Sequence, residues 1–278
     1  METFEAVVPG GVLGGRISGA GTPVLLLHGG PGLDVDYLED LVPELEDGYR
    51  VARYQQRGLE PSTATEPYDV GTQSDDVTRV LDALGWDRAV VVGHSWGGHL
   101  LLNVLADHPD RLLGAVVVDP LGGVGDGGEA AFSAEMSART PEADRARMEE
   151  LDARAMAGEG TVDDALESLR LVWPAYFADP ASAPEMPPAR LSVEAYAQTW
   201  TSVQEGLPTL AARLDGCGVP TVFVHGGASP MPVTASTDSA AAIGDAAEVV
   251  VVPATGHFIW HESPGAVRAA LDGLMRRV

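Results

Sequence analysis

The chain has 278 residues, is 45% hydrophobic, and carries 41 acidic residues against 17 basic ones, for a formal net charge of -24. That length allows one large core with a small inserted unit. The negative field repels nucleic acid and anionic membrane surfaces, so neither is expected as a partner. No uncharged apolar window reaches the roughly 18 residues of a membrane span. The acidic start Met1-Glu2-Thr3-Phe4-Glu5 lacks the pattern of a secretory signal, and the lone Cys217 cannot close an internal disulfide. Both fit a reducing cytoplasm.

Residues 4–8 and 12–17 read as two strands joined at Pro9-Gly10-Gly11, a hairpin signal. The run Val24-Leu25-Leu26-Leu27 predicts a buried strand, ending in the glycine-rich loop His28-Gly29-Gly30-Pro31-Gly32. Residues 37–45 predict a helix and 49–54 a strand, followed by Gln55-Gln56-Arg57-Gly58. Val77, Val80, Leu81 and Leu84 stand at helical spacing, so 72–84 is a helix, with Gly85 beyond its end. Ala89-Val90-Val91-Val92 is a strand that feeds Gly93-His94-Ser95-Trp96-Gly97-Gly98, and a helix follows to His108. Residues 112–118 form the next strand, ending at Asp119-Pro120.

The alternation then breaks. From Glu129 to about Leu214 the pattern is helical and charged, interrupted by prolines. Strands resume at 220–225 and 247–252, with helices at 234–243 and 263–275; Ser263 and Pro264 predict an N-cap and first turn for the last helix. Strands alternating with helices imply a mostly parallel sheet, eight-stranded here, covered on both faces. The expected organisation is a core of residues 1–120 and 216–278 with a helical cap of residues 121–215, inserted after the strand that ends at Val118. Such a cap lies over the C-terminal ends of the strands, where ligands bind.

The Gly-x-Ser-x-Gly pattern between a strand and a helix marks Ser95 as a nucleophile on a sharp turn. A serine hydroxyl is a poor nucleophile and needs a base, an orienter for that base, and donors for the developing oxyanion. Seven histidines are present. His257 follows the strand Val249-Val250-Val251-Val252 in a loop able to reach Ser95, and is the expected base; His261 is its reserve and His225 is read as structural. No Cys/His cluster suggests a metal, and no P-loop is present, so no cofactor is expected.

These motifs resemble the α/β-hydrolase superfamily. His28-Gly29-Gly30-Pro31-Gly32 with Gly-x-Ser-Trp-Gly-Gly, and the Gln56-Arg57-Gly58 loop, resemble its proline iminopeptidase branch, although Gln55 stands where that branch has aspartate. The resemblance implies Ser95 as nucleophile, His257 as base, and the amides of Trp96 and Gly30 as the oxyanion hole, with Gly29 as reserve. His28 and Arg57 are read as holding loops. Epoxide hydrolases and haloalkane dehalogenases of this fold need an aspartate at the elbow, and Ser95 argues against both. The family's usual acid follows the penultimate strand, but here that place holds Ser229, in His225-Gly226-Gly227-Ala228-Ser229. Asp119 is the expected substitute, because some relatives carry the acid after the preceding strand; Asp126, or no carboxylate, is the alternative. The insertion offers Trp173, Tyr176, Phe177, Tyr196 and Trp200 for an apolar substrate pocket. Glu129, Glu135, Glu194 and Glu205 are available for a substrate amine. The expected activity is cleavage of a small ester, lactone or amide through an acyl-enzyme, or a proline iminopeptidase-like reaction. The alternative is a fold reused as a non-hydrolytic biosynthetic catalyst or small-molecule binder, supported by the displaced acid. A small-molecule substrate is the only partner implied, and the oligomeric state is left open.

Overall fold

The central strands are continuous apolar runs because both faces of their sheet are covered. In a computed structural model that describes all 278 residues, eight strands form one sheet in the order β1-β2-β4-β3-β5-β6-β7-β8. The strands are β1 (Glu2–Val8), β2 (Gly11–Gly19), β3 (Thr22–Leu27), β4 (Tyr49–Tyr54), β5 (Ala89–His94), β6 (Leu112–Val118), β7 (Thr221–Gly226) and β8 (Ala247–Val252). The β1–β2 and β2–β4 pairs are antiparallel and all others are parallel. Strand β5 sits centrally and every residue of it is buried.

One face is covered by α2 (Val70–Ala83), α3 (Trp96–Asp107) and the second half of α7 (Val193–Leu214). The other is covered by α1 (Val42–Leu45), α9 (Ile259–Glu262) and α10 (Ala266–Met275). The first ten residues of α3, Trp96 to Leu105, are all buried, which explains why that helix is apolar all round. Between β6 and β7 the chain adds α4 (Glu129–Arg139), α5 (Glu142–Met156), α6 (Val162–Val172) and α7, with no strand among them. Val203, Leu207, Leu210 and Leu214 of α7 belong to the same core cluster as α3, so the end of this segment packs as part of the sheet's own cover. A last helix, α8 (Val233–Ile243), joins β7 to β8. No helix is long and apolar enough to cross a membrane.

Two local expectations are corrected. The helix expected over 37–45 is a 3-10 turn at Asp36–Leu38 followed by the short α1. Pro43 has no N–H and would clash with the carbonyl four residues back, so it suits the first turn of α1 and disfavours a helix continuing into it from residue 37. The last helix starts at Ala266, not at Ser263. Gly265 takes φ 84°, which interrupts the helical path, and the Ser263 hydroxyl bonds Thr255 Oγ1 at 2.6 Å instead of capping.

Candidate active site

Ser95 sits at the apex between β5 and α3 with φ 55° and ψ -120°, a conformation that costs a non-glycine residue free energy. The surrounding bonds hold it there. Its N–H donates to Val118 O at 3.0 Å, and its carbonyl accepts from Gly98 N and His99 N. The turn closes this tightly only because its neighbours lack side chains. A Cβ at Gly93 would run into the Gly97 carbonyl, and one at Gly97 into the Leu27 and His28 carbonyls. The same geometry sends the Trp96 amide out as the first N–H of α3, with no partner inside the helix.

Asp119 directly follows β6, is fully buried, and also has positive φ, 42°. Its Oδ2 lies 2.5 Å from His257 Nδ1. The same oxygen accepts from Ser229 Oγ at 2.5 Å, while Oδ1 accepts from Gly226 N at 2.9 Å. The serine in the usual acid position is thus a donor to the carboxylate on the neighbouring strand end. His225 lies 3.2 Å from Asp119 Oδ1 and is tied to Ser236 and to the Met231 carbonyl. Asp126 is excluded from the cluster: it is exposed and accepts from Gly128 N and Ala130 N at the start of α4. Those amides hold its carboxyl below the usual range. His261 is exposed as well.

His257 is buried, and its N–H donates to Tyr176 O at 2.8 Å. Neither its Nε2 nor Ser95 Oγ hydrogen-bonds a protein group. Both residues line one cavity of about 110 Å³. In free enzymes such bonds often tighten only when substrate docks. Gly30 shares this cavity, and its N–H is free of protein partners. Gly29 N–H is not free, since it donates to Tyr37 Oη at 2.5 Å. The glycine-rich loop therefore has its free amide at Gly30.

The loop is locked from behind by His28. Its Nε2 accepts from Gln56 N at 3.2 Å, so Nδ1 carries the proton and donates to Gly29 O at 2.9 Å. Burial pushes this imidazole down to about 4, which keeps it neutral. Gln56 also bonds the His28 carbonyl and receives Trp96 Nε1–H at 2.8 Å. Arg57 is buried against Asp76, with bonds of 2.5 and 3.0 Å, and reaches backbone carbonyls at Pro9 and Thr65. Both residues hold loops, as their positions suggested.

Of the five aromatic residues expected around the substrate, Trp173 and Tyr176 line the cavity. The other three do not. Phe177 is buried behind them against Trp173 and Phe258. Tyr196 is 46% exposed, and Trp200 packs on the α3 side of the core. The wall is completed by Leu33, Tyr37, His94, Leu169, Met186, Pro187, Pro188, Ala189 and Phe258, which local periodicity did not single out. None of Glu129, Glu135, Glu194 and Glu205 reaches the cavity; Asp34 does. Asp34 is buried and its carboxyl is raised by desolvation, while Arg190 N donates to it at 2.6 Å. No group of three or more His, Cys, Asp or Glu side chains is arranged to hold a metal ion.

A family model described as alpha/beta hydrolase fold matches residues 22–264, most of the chain. A protein of Caulobacter sp. (strain K31) named as a carbamate hydrolase, RutD, is 38% identical over 97 residues, 34% of this chain and 36% of that protein. The chain thus matches about a third of the length of that relative. Epoxide hydrolase A of Mycobacterium tuberculosis (strain ATCC 25618 / H37Rv) is 29% identical over 296 aligned positions, covering 92% of each chain. Among solved structures, a proline iminopeptidase from Mycobacterium smegmatis superposes with a TM-score of 0.67 at 20% identity, over 99% of this chain and 98% of that one. With the family model spanning the sheet, the elbow and the histidine loop, the chain belongs to the α/β-hydrolase fold family.

Proposed function

We propose that the chain is a serine hydrolase that cleaves a small ester, lactone or amide through an acyl-enzyme, with the helical segment after β6 as its cap. The observation that carries this is the 2.5 Å bond between His257 Nδ1 and Asp119 Oδ2, with Ser95 on the same small cavity. A buried carboxylate on Nδ1 fixes the tautomer that leaves Nε2 as an acceptor for the serine proton. Ser95 Oγ attacks the substrate carbonyl and its proton passes to His257 Nε2. The carbonyl oxygen becomes an oxyanion beside the free amides of Gly30 and Trp96. When the intermediate collapses, the imidazolium returns the proton to the leaving oxygen or nitrogen. Water then attacks the acyl-enzyme with His257 again as base. The elbow serine separates this chemistry from that of the aspartate enzymes, whatever the overall similarity to an epoxide hydrolase.

Ser229 stands in the usual acid position but supports Asp119 from the neighbouring strand. This bond favours the hydrolytic reading over a non-hydrolytic use of the fold. A cavity of about 110 Å³ with mostly apolar walls suits a small acyl group. Within the proposal, the proline iminopeptidase-like reading has one specific support: Asp34, the one acidic wall residue, is a buried carboxylate at the site that could receive a substrate amine.

The test is hydrolysis of p-nitrophenyl acetate, p-nitrophenyl butyrate, small lactones and L-proline p-nitroanilide by the wild type and by Ser95→Ala. Turnover of at least one substrate, reduced about 10⁴-fold or more in the variant, is expected. Full activity in Ser95→Ala sinks the proposal.

A further inference from the structure

We propose that Tyr37 is a positioning residue that holds the oxyanion loop and the histidine loop in one register through the imidazole of His94. The catalytic meaning of this rests on the serine hydrolase reading above. Three bonds run in series. Gly29 N–H donates to Tyr37 Oη at 2.5 Å, Tyr37 Oη lies 2.9 Å from His94 Nδ1, and His94 Nε2 lies 3.1 Å from the His257 carbonyl.

Counting protons leaves one arrangement that satisfies every group. A carbonyl can only accept, so His94 Nε2 carries the hydrogen. Nδ1 of a neutral ring then accepts, which requires the Tyr37 hydroxyl to donate. The phenol lone pairs are left to receive Gly29 N–H. A protonated His94 would put a second donor on the phenol oxygen and leave the hydroxyl hydrogen with no acceptor. His94 is 3% exposed, and its burial drives the ring well below the ordinary imidazole range. Burial likewise pushes the Tyr37 phenol up, so both groups stay neutral.

The chain of bonds ties the loops after β3 and β8 to the end of β5. At one end it fixes the Gly29 peptide, next to the free Gly30 amide. At the other it fixes the backbone of His257, whose side chain is already held by Asp119. His94 itself precedes Ser95. Little slack is available here, because a Cβ at Gly29 would meet Ser95 Cβ, the His94 carbonyl and Tyr37 Oη. The Tyr37 ring packs against Phe258 and Trp260 at centroid distances of 6.0 Å, and those contacts do not need the hydroxyl.

Tyr37→Phe is therefore the variant of choice. We expect kcat on the substrate found in the panel to fall about 10- to 100-fold with KM nearly unchanged and the thermal unfolding midpoint little moved. A merely structural tyrosine would lower the midpoint and leave kcat of the folded protein alone, and an unchanged kcat overturns the proposal. Independently, the ¹⁵N shifts of the His94 ring in the wild type should show a single Nε2–H tautomer at neutral pH, lost or mixed in Tyr37→Phe. A protonated Nδ1 in the wild type overturns the arrangement even if the enzyme is active. If the wild type has no turnover at all, the hydrolase reading fails, while the tautomer still reports on the bond chain.

Discussion

The strand-end loops and the helical segment between β6 and β7 are built on different terms. Ser95 and Asp119 are two of the three non-glycine residues with positive φ; Ser95 is held by backbone bonds, and Asp119 by backbone and side-chain bonds together. By contrast, α5 buries only Leu151, α4 only Met136, and α6 only Leu166. Chemistry that depends on tenths of an ångström sits on buried strand ends. Leu169 and much of the cavity wall come from a segment with a thin interior and charged outer faces. Changes in the first region should therefore destroy turnover, while changes in the second should redirect it.

The largest effect is expected at the carboxylate. Asp119→Asn preserves shape but removes the charge that stabilises the imidazolium, and should lower kcat by about 10⁴-fold in steady-state assays. A loss under tenfold would place the acid elsewhere. Acid should then unlock the strand-end framework. His28 and His99 are buried and neutral, both pushed down to about 4. Once unfolded they titrate near 6.5, so between pH 6.5 and about 4 the unfolded chain binds more protons. Their contribution is complete above 6.5 and is lost as the pH falls toward about 4, on the order of 3 kcal/mol apiece. Urea midpoints measured from pH 7 to 4 should fall across that window; flat midpoints contradict the neutral assignment. In the wall, Leu169→Ala should shift the preference between acetyl and longer acyl esters about tenfold toward the longer chain. An unchanged preference would mean that the helical segment does not contact the acyl group. Smallest is Ser229→Ala, which removes one donor from Asp119 Oδ2 and should cost roughly three- to tenfold in kcat. If it equals Asp119→Asn, the serine is more than a supporting donor.

The contrast also explains what was legible before any coordinates. The elbow, His257 and the Gly30 loop carry short-range signals: glycines where a turn must close, directly after apolar strands. The proximity of Asp119 to His257 follows from its place at a strand end. The role of Ser229 was not legible, since its partner is 110 residues away. The same holds for Tyr37 and His94, 57 residues apart. Periodicity reports which face of an element is apolar, but not what that face meets. Phe177, Tyr196 and Trp200 are therefore as aromatic as Trp173 yet do not line the Ser95 cavity. Strand β8 teaches the same point. Its valine run reads like that of β5, yet it lies at the sheet edge, with Val250 and Val251 44% and 46% exposed.

The central claim is that Ser95 is an activated nucleophile served by His257. The most direct measurement is labelling with a fluorophosphonate, followed by intact mass and peptide mapping. One adduct on Ser95 is predicted, absent in Ser95→Ala and slowed by orders of magnitude in His257→Ala. No adduct on the folded wild type, or labelling as fast without His257, would contradict it.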